Sequence, residues 1–238
     1  MAKLTKKDLL DQLSDIYDND LDLLLKDVEY RLSKKSSKKF TSKQIKKNFS
    51  NEPIVASLDT VTKSYKMGKT TVDAVKKVSF DIRAGEIVAL IGPSGSGKSS
   101  ILNMIGGLDR PSNGIITIDG QDISKLNDNK LSTFRNKTIG FVFQFFYLQP
   151  FLSLKSNIEI PLMFANASKQ KRDESSDKFI NAVGLEDRAE HLPNELSGGQ
   201  IQRTAIARAL INNPKLVLAD EPTGNLDRKN GDQIMDLF

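Results

Sequence analysis

Cysteine is absent and histidine occurs once, at His191. The first absence excludes disulfides, thiolate metal sites and a cysteine nucleophile, and it suits a reducing compartment. His191 falls in a loop and reads as a surface or structural residue. No apolar run is long enough to span a bilayer, and the N-terminus MAKLTKKDLL lacks the apolar core of a signal peptide. What remains is a chain of 238 residues, 38% hydrophobic and 27% charged, which fits one good-sized globular domain with an appendage.

The net charge of +5 is modest but unevenly placed. Residues 1–30 carry −4 and residues 31–50 carry +8. Leu9, Leu10, Leu13, Ile16 and Tyr17 share one helical face, and Leu21, Leu24, Leu25, Val28 and Leu32 share another. Residues 1–52 are therefore expected to be a helical and basic extension. Three readings compete for it. One is a helical hairpin with a solvated lysine linker, another is docking on a partner's helices, and the third is attraction of residues 31–47 to anionic lipid. Only Phe40 and Phe49 interleave the lysines, so no nucleic-acid partner is expected.

The most informative stretch is residues 86–105, EIVALIGPSGSGKSSILNMI. Its apolar run, residues 87–91, is short and β-branched and predicts a buried strand. A glycine-rich turn follows, Gly92, Pro93, Ser94, Gly95, Ser96 and Gly97. Lys98, Ser99 and Ser100 then lead into Ile101, Leu102, Met104 and Ile105 at helical spacing. Strand, G-x-x-x-x-G-K-[ST] and helix is the phosphate-binding loop in its confirming context. Glycines let successive N–H groups converge on one anion, and the helix adds its positive end. Lys98 is expected to reach the β- and γ-phosphates, and the Ser99 hydroxyl to coordinate Mg²⁺. A bound nucleoside triphosphate follows.

Other segments are read around that loop. Residues 54–65, 71–75 and 78–82 predict short strands of an antiparallel edge, with turns at Met67 and Gly68 and near Lys76 and Lys77. Tyr65 either stacks on an adenine or packs at the sheet edge. Residues 115–118 and 121–123 predict a hairpin about Asp119 and Gly120, followed by a helix near 128–136. Residues 139–143 predict a second buried strand ending at Gln144, where α/β folds place ligand contacts. Gln144 is a candidate for holding Mg²⁺ or the attacking water. Phe145, Phe146, Tyr147, Leu148 and Phe151 form either a small core or an exposed docking patch.

Residues 145–210 predict an inserted, mainly helical region. Near its end Ser197 is an N-cap candidate, and Gly198, Gly199 and Gln200 open a helix over 201–211. This is a second anion cradle, suited to another molecule's ATP or simply a capped helix. The apolar strand at 216–219 runs into Asp220 and Glu221, the Walker B pattern. Asp220 is placed to hold Mg²⁺ through water and Glu221 to polarise the attacking water. Asp227 is expected to cap the next helix or to face a partner. That helix stops at Phe238 inside an apolar pattern, so a shortened chain is expected.

The set GPSGSGKS at 92–99, Gln144, LSGGQ at 196–200 and LVLADEP at 216–222 resembles the ATP-binding subunits of ABC transporters. The words GFVFQFFYL and ADEPTGNLD are most similar to the branch holding the MacB, LolD and FtsE ATPases. The resemblance covers residues 54–238. It implies a P-loop α/β core with an antiparallel β edge and an inserted helical subdomain, at the cytoplasmic face of the membrane. It implies ATP and Mg²⁺ as ligands, an integral membrane permease as partner and head-to-tail pairing with a second ATP-binding subunit. Ser197, Gly199 and Gln200 would then contact the partner's ATP, and Tyr65 would stack on adenine. The patch at 145–151 would face the permease. The function implied is to power an export or lipoprotein/peptide-type transporter. The alternative is a regulatory ATPase that acts on a membrane partner without transport. The switch histidine that the resemblance implies a few tens of residues after the acidic strand is absent from residues 1–238, and His191 precedes the signature and does not replace it. Ser156 and Asn157 stand where the branch commonly has an acid before the asparagine.

Overall fold

The structure, a computed structural model, describes residues 51–68 and 70–222. The helical faces and lysine run expected in the first 50 residues lie outside the described residues, as do Asp227 and the helix expected after it.

Strand β1, Ile54–Met67, pairs antiparallel with β2, Thr70–Arg83, from Ile54 opposite Arg83 to Met67 opposite Thr70. The turn expected near Lys76 and Lys77 is not there. β2 runs straight through, and register shifts absorb the irregularity. Lys77 takes a φ of 47° and its N–H donates to Thr62 Oγ1 at 3.2 Å. A bulge satisfies the polar backbone locally, so the strand need not end.

β3, Asn113–Ile118, lies on the other side of β1, and β4, Gln121–Asp122, completes the sheet in the order β2-β1-β3-β4. The β3–β4 connection is the expected one, with Asp119 and Gly120 at φ 47° and 76°. Helix α1, Lys98–Ile105, packs Met104 and Ile105 beneath this sheet with Leu58, Val61, Ile116 and Ile118.

Helix α2, Asp128–Thr138, is capped by Asn127, whose side chain accepts from the Lys130 N–H. It delivers the chain to β5, Ile139–Val142. β5 pairs in parallel with β6, Leu216–Ala219, Val142 lying opposite Ala219. Parallel strands in this register end at the same edge, so whatever follows each strand emerges side by side.

Between these strands lies the helical insertion: α3, Leu154–Phe164, α4, Lys169–Ala182, and α5, Gly198–Leu210. Leu154, Ile158, Leu162, Ile180 and Leu185 form a separate apolar core that includes Ala207 and Ile211 at the C-terminal end of α5. Ile206 of α5 instead meets Val142 of β5. Helix α5 therefore packs on the insertion's own core and on strand β5.

One expectation is overturned. Residues 87–91 form no strand, and Ile87 is 71% exposed. A strand needs a hydrogen-bonding neighbour as well as apolar side chains. Among the described residues no strand pairs with this run.

Candidate nucleotide site

The glycine turn reaches α1 through two left-handed glycines, Gly95 at φ 78° and Gly97 at φ 92°. At Gly97 a side chain is also excluded by space, because a Cβ there would stand 2.4 Å from the Ala74 carbonyl oxygen. The loop thus lies directly on the β2 backbone. The Ser96 N–H donates to the Pro93 carbonyl at 3.2 Å and closes the exposed turn at Pro93, Ser94 and Gly95. Lys98 Nζ donates to the carbonyls of Gly92 and Pro93 at 2.8 and 3.0 Å, which folds its ammonium over the loop. No side chain caps α1 and its first turn holds no acid. Its positive end therefore has no anionic side chain of its own. Ser99 and Ser100 sit in that first turn.

The parallel pair of strands places the rest. The Asp220 N–H continues the ladder to the Val142 carbonyl at 3.0 Å. Ser99 Oγ donates to Asp220 Oδ1 at 3.4 Å. Gln144 Nε2 donates to Glu221 Oε2 at 2.8 Å. Four expected site residues from three distant stretches of sequence thus meet at one edge. A hydroxyl and a carboxylate oxygen are the hard donors Mg²⁺ takes, with phosphate and water completing its shell. The residues present fit that ion.

Tyr65 is anchored rather than free. Its hydroxyl donates to Asp109 Oδ2 at 2.9 Å, while Lys63 Nζ donates to Asp109 Oδ1 at 2.6 Å. Lys63 Nζ also stands 4.9 Å from the centre of the Tyr65 ring. Partial burial pushes the Asp109 carboxyl up, but hydrogen bonds from Lys63, Tyr65 and the Arg110 N–H outweigh it and hold it below the ordinary carboxylate value. Tyr65 as a residue is 41% exposed, which leaves surface for a stacked base.

Ser197 caps α5 as expected. Its Oγ accepts from the Gln200 N–H at 3.4 Å, and its own N–H donates to Gln200 Oε1 at 2.8 Å. Ser197 and Gly198 are exposed, whereas Gly199 is buried in the helix packing. Among the described residues no hydrogen bond joins Ser197, Gly198, Gly199 or Gln200 to the phosphate loop. Among the described residues the two cradles thus share no hydrogen bond.

After Gln144 the aromatic segment is an exposed patch and not a small core. Phe145, Tyr147 and Phe151 all face solvent, Phe151 at 89%. The segment is nonetheless fixed. The fully buried Asn157 donates to the carbonyls of Gln149, Leu152 and Ser153, and its Oδ1 accepts from the Gln149 N–H. Arg208 of α5 donates to the carbonyls of Phe146 and Tyr147 at 2.7 and 2.8 Å. Burial lowers the Arg208 pKa. Reading the sequence missed Arg208 and Gln202. The available signal was a polar residue on an otherwise small and apolar helix face.

A sequence model of the family described as ABC transporter matches residues 75–224. The chain belongs to the ABC transporter family. It is 53% identical over 181 residues to the ABC transporter ATP-binding protein YknY of Bacillus subtilis, covering 76% of this chain and 79% of that one. An ABC transporter ATP-binding protein of Thermotoga maritima is 48% identical over 184 residues, covering 77% of this chain and 79% of its own length. In structure the chain is similar to the ATP-binding cassette MJ0796, solved as a post-hydrolysis dimer bound to ADP and Pi. The TM-score is 0.71 and the identity 47%, over 76% of this chain and 80% of that one. The fold is that of the ABC ATPases, and the chain is an ABC transporter ATP-binding subunit. Among the described residues no helix is long and apolar enough to cross a membrane.

Proposed function

We propose that this subunit binds and hydrolyses Mg²⁺-ATP to drive an integral membrane permease of the export or lipoprotein/peptide type, from the cytoplasmic face of the membrane. The observation that carries this reading is the meeting of Ser99 with Asp220 beside that of Gln144 with Glu221. The backbone N–H groups of the loop and Lys98 hold the phosphates. Ser99 and Asp220 hold the metal, which when bound spreads the charge of the γ-phosphate. Glu221 accepts the proton of the attacking water at a carboxylate oxygen, and Gln144 orients that carboxylate.

The lack of any hydrogen bond between Ser197 and the loop among the described residues supports a two-chain site, in which the signature helix of one subunit closes over the ATP of another. The dimeric state of MJ0796 is consistent with this arrangement. The exposed patch at Phe145, Tyr147 and Phe151 is then the surface offered to the permease, since it is both apolar and rigidly held.

The test is Glu221→Gln in the full chain. ATP binding is kept, and turnover falls on the order of 10²–10⁴-fold, the usual worth of a positioned general base. ATP-bound dimers accumulate. Sedimentation that shows only monomer under saturating ATP would defeat the two-chain site.

A further inference from the structure

We infer that Gln202 is a positioning residue that holds Glu221 in place, so that the signature helix of a subunit sets the carboxylate of that subunit's own site. The inference rests on reading Glu221 as the group that polarises water.

Gln202 lies on α5, one turn beyond Ser197, and is fully buried. Its Nε2 donates to the Pro222 carbonyl at 2.6 Å. The orientation follows from chemistry, because a carbonyl can only accept and the amide must turn its NH₂ to it. Gln202 Oε1 finds no donor among the described residues. A buried amide oxygen left unpaired is costly, so hydrophobic packing alone does not explain a glutamine here.

The carbonyl it holds belongs to a strained turn. Glu221 takes a φ of 45°, the left-handed region, and is followed by proline. A non-glycine residue there is strained, and a following proline disfavours compact conformations further. Such a conformation persists only where the surroundings over-determine it. Three contacts do so: the Asp220 N–H on Val142, Gln144 on the Glu221 carboxylate, and Gln202 on the Pro222 carbonyl. The first two are anchored on β5 and the segment after it. Among the described residues the hydrogen bond from Gln202 connects the turn to α5, the helix that Ser197 begins.

The experiment is amide hydrogen exchange on the full chain, comparing wild type with Gln202→Met and Gln202→Glu. Methionine keeps the buried volume, removes the orphan oxygen and withdraws the donor. Exchange in residues 216–221 is expected to quicken by about tenfold as local opening becomes easier, with residues 98–105 unchanged. Gln202→Glu removes the donor at neutral pH, and protonating the buried carboxylate returns an O–H to the Pro222 carbonyl. Protection at 216–221, corrected for intrinsic rates, should therefore recover as pH falls in that variant alone. Unchanged protection at 216–221 in Gln202→Met overturns the inference. So does a uniform loss of protection across 139–221, which would mark Gln202 as mere packing.

ATP with Mg²⁺ added to wild type checks the underlying reading separately. Failure to slow exchange at 92–100 defeats the nucleotide site, while the apo comparison still decides whether Gln202 holds the turn. In turnover, Gln202→Met is expected to lower kcat by about tenfold with KM within about twofold, the mark of an interaction made in the transition state. A rise in KM alone counts against it.

Discussion

Gln144 and Glu221 lie 77 positions apart and meet as a 2.8 Å hydrogen bond from Nε2 to Oε2. The bond exists because β5 and β6 are parallel and in register, so the residues that follow them leave the same edge. Gln144→Ala should therefore leave Glu221 present but unoriented. The expected result is a fall in kcat on the order of tenfold with ATP affinity little changed, read from steady-state turnover and calorimetry. Loss of affinity equal to the loss of turnover would place Gln144 on the nucleotide instead.

Lys98 folds back onto the carbonyls of Gly92 and Pro93. In the bound state its ammonium is expected to turn from these neutral acceptors to phosphate oxygens. Lys98→Ala should weaken ATP binding by about a hundredfold, as removal of two charge-assisted hydrogen bonds would. Titration calorimetry measures it, and an unchanged affinity would remove Lys98 from the site.

Gly97 combines a φ of 92° with a contact of 2.4 Å between any added Cβ and the Ala74 carbonyl. Gly97→Ala must push the loop off β2 or distort it. A cost of about 2–3 kcal/mol in stability is expected, together with weaker nucleotide binding. Gly95→Ala shares a φ of 78° but meets nothing within 4 Å. It should cost about 1 kcal/mol, from the backbone alone. Chemical denaturation of the pair separates strain from collision.

Asp109 supplies a pH dependence. Its carboxyl is held below the ordinary value of 3.8 by Lys63, Tyr65 and the Arg110 N–H, against the effect of burial. A depressed folded pKa means stability that is full above 3.8 and is lost as pH falls through the folded value. Asp109→Asn should flatten that acid limb and cost about 1 kcal/mol at neutral pH. It should also loosen Tyr65, seen as weaker binding of adenine nucleotides. If Tyr65 packs only at the edge of the sheet, nucleotide affinity will not move.

The missed and misread parts have a common origin. The strand expected at 87–91 was inferred from apolar, β-branched residues, yet Ile87 and Ile91 are exposed and unpaired with any described strand. The break expected near Lys76 and Lys77 became a bulge, because Thr62 Oγ1 takes the Lys77 N–H. Gln202 and Arg208 showed only as polar residues on a small, apolar helix face, and their partners were hidden because they are backbone carbonyls 20 and 61–62 positions away. A hydrogen bond to a distant main-chain oxygen leaves no trace in the spacing of residues.

The sequence by itself determined the pieces whose physics is local. The glycines, lysine and serines at 92–100 specify a phosphate loop, because a tight anion-binding turn needs them in that order. Ser197 and Gln200 specify a capped helix start, since both hydrogen bonds close within one turn. Residues 216–221 mark an apolar strand that ends in acids. Only the tertiary structure decided how these pieces act on one another. The parallel register of β5 and β6 brings Gln144 to Glu221, and the contact of α1 with that edge brings Ser99 to Asp220. The packing of α5 on the insertion's core and on β5 places Gln202 against the turn. Those relations depend on which surfaces bury one another, which is a property of the whole chain.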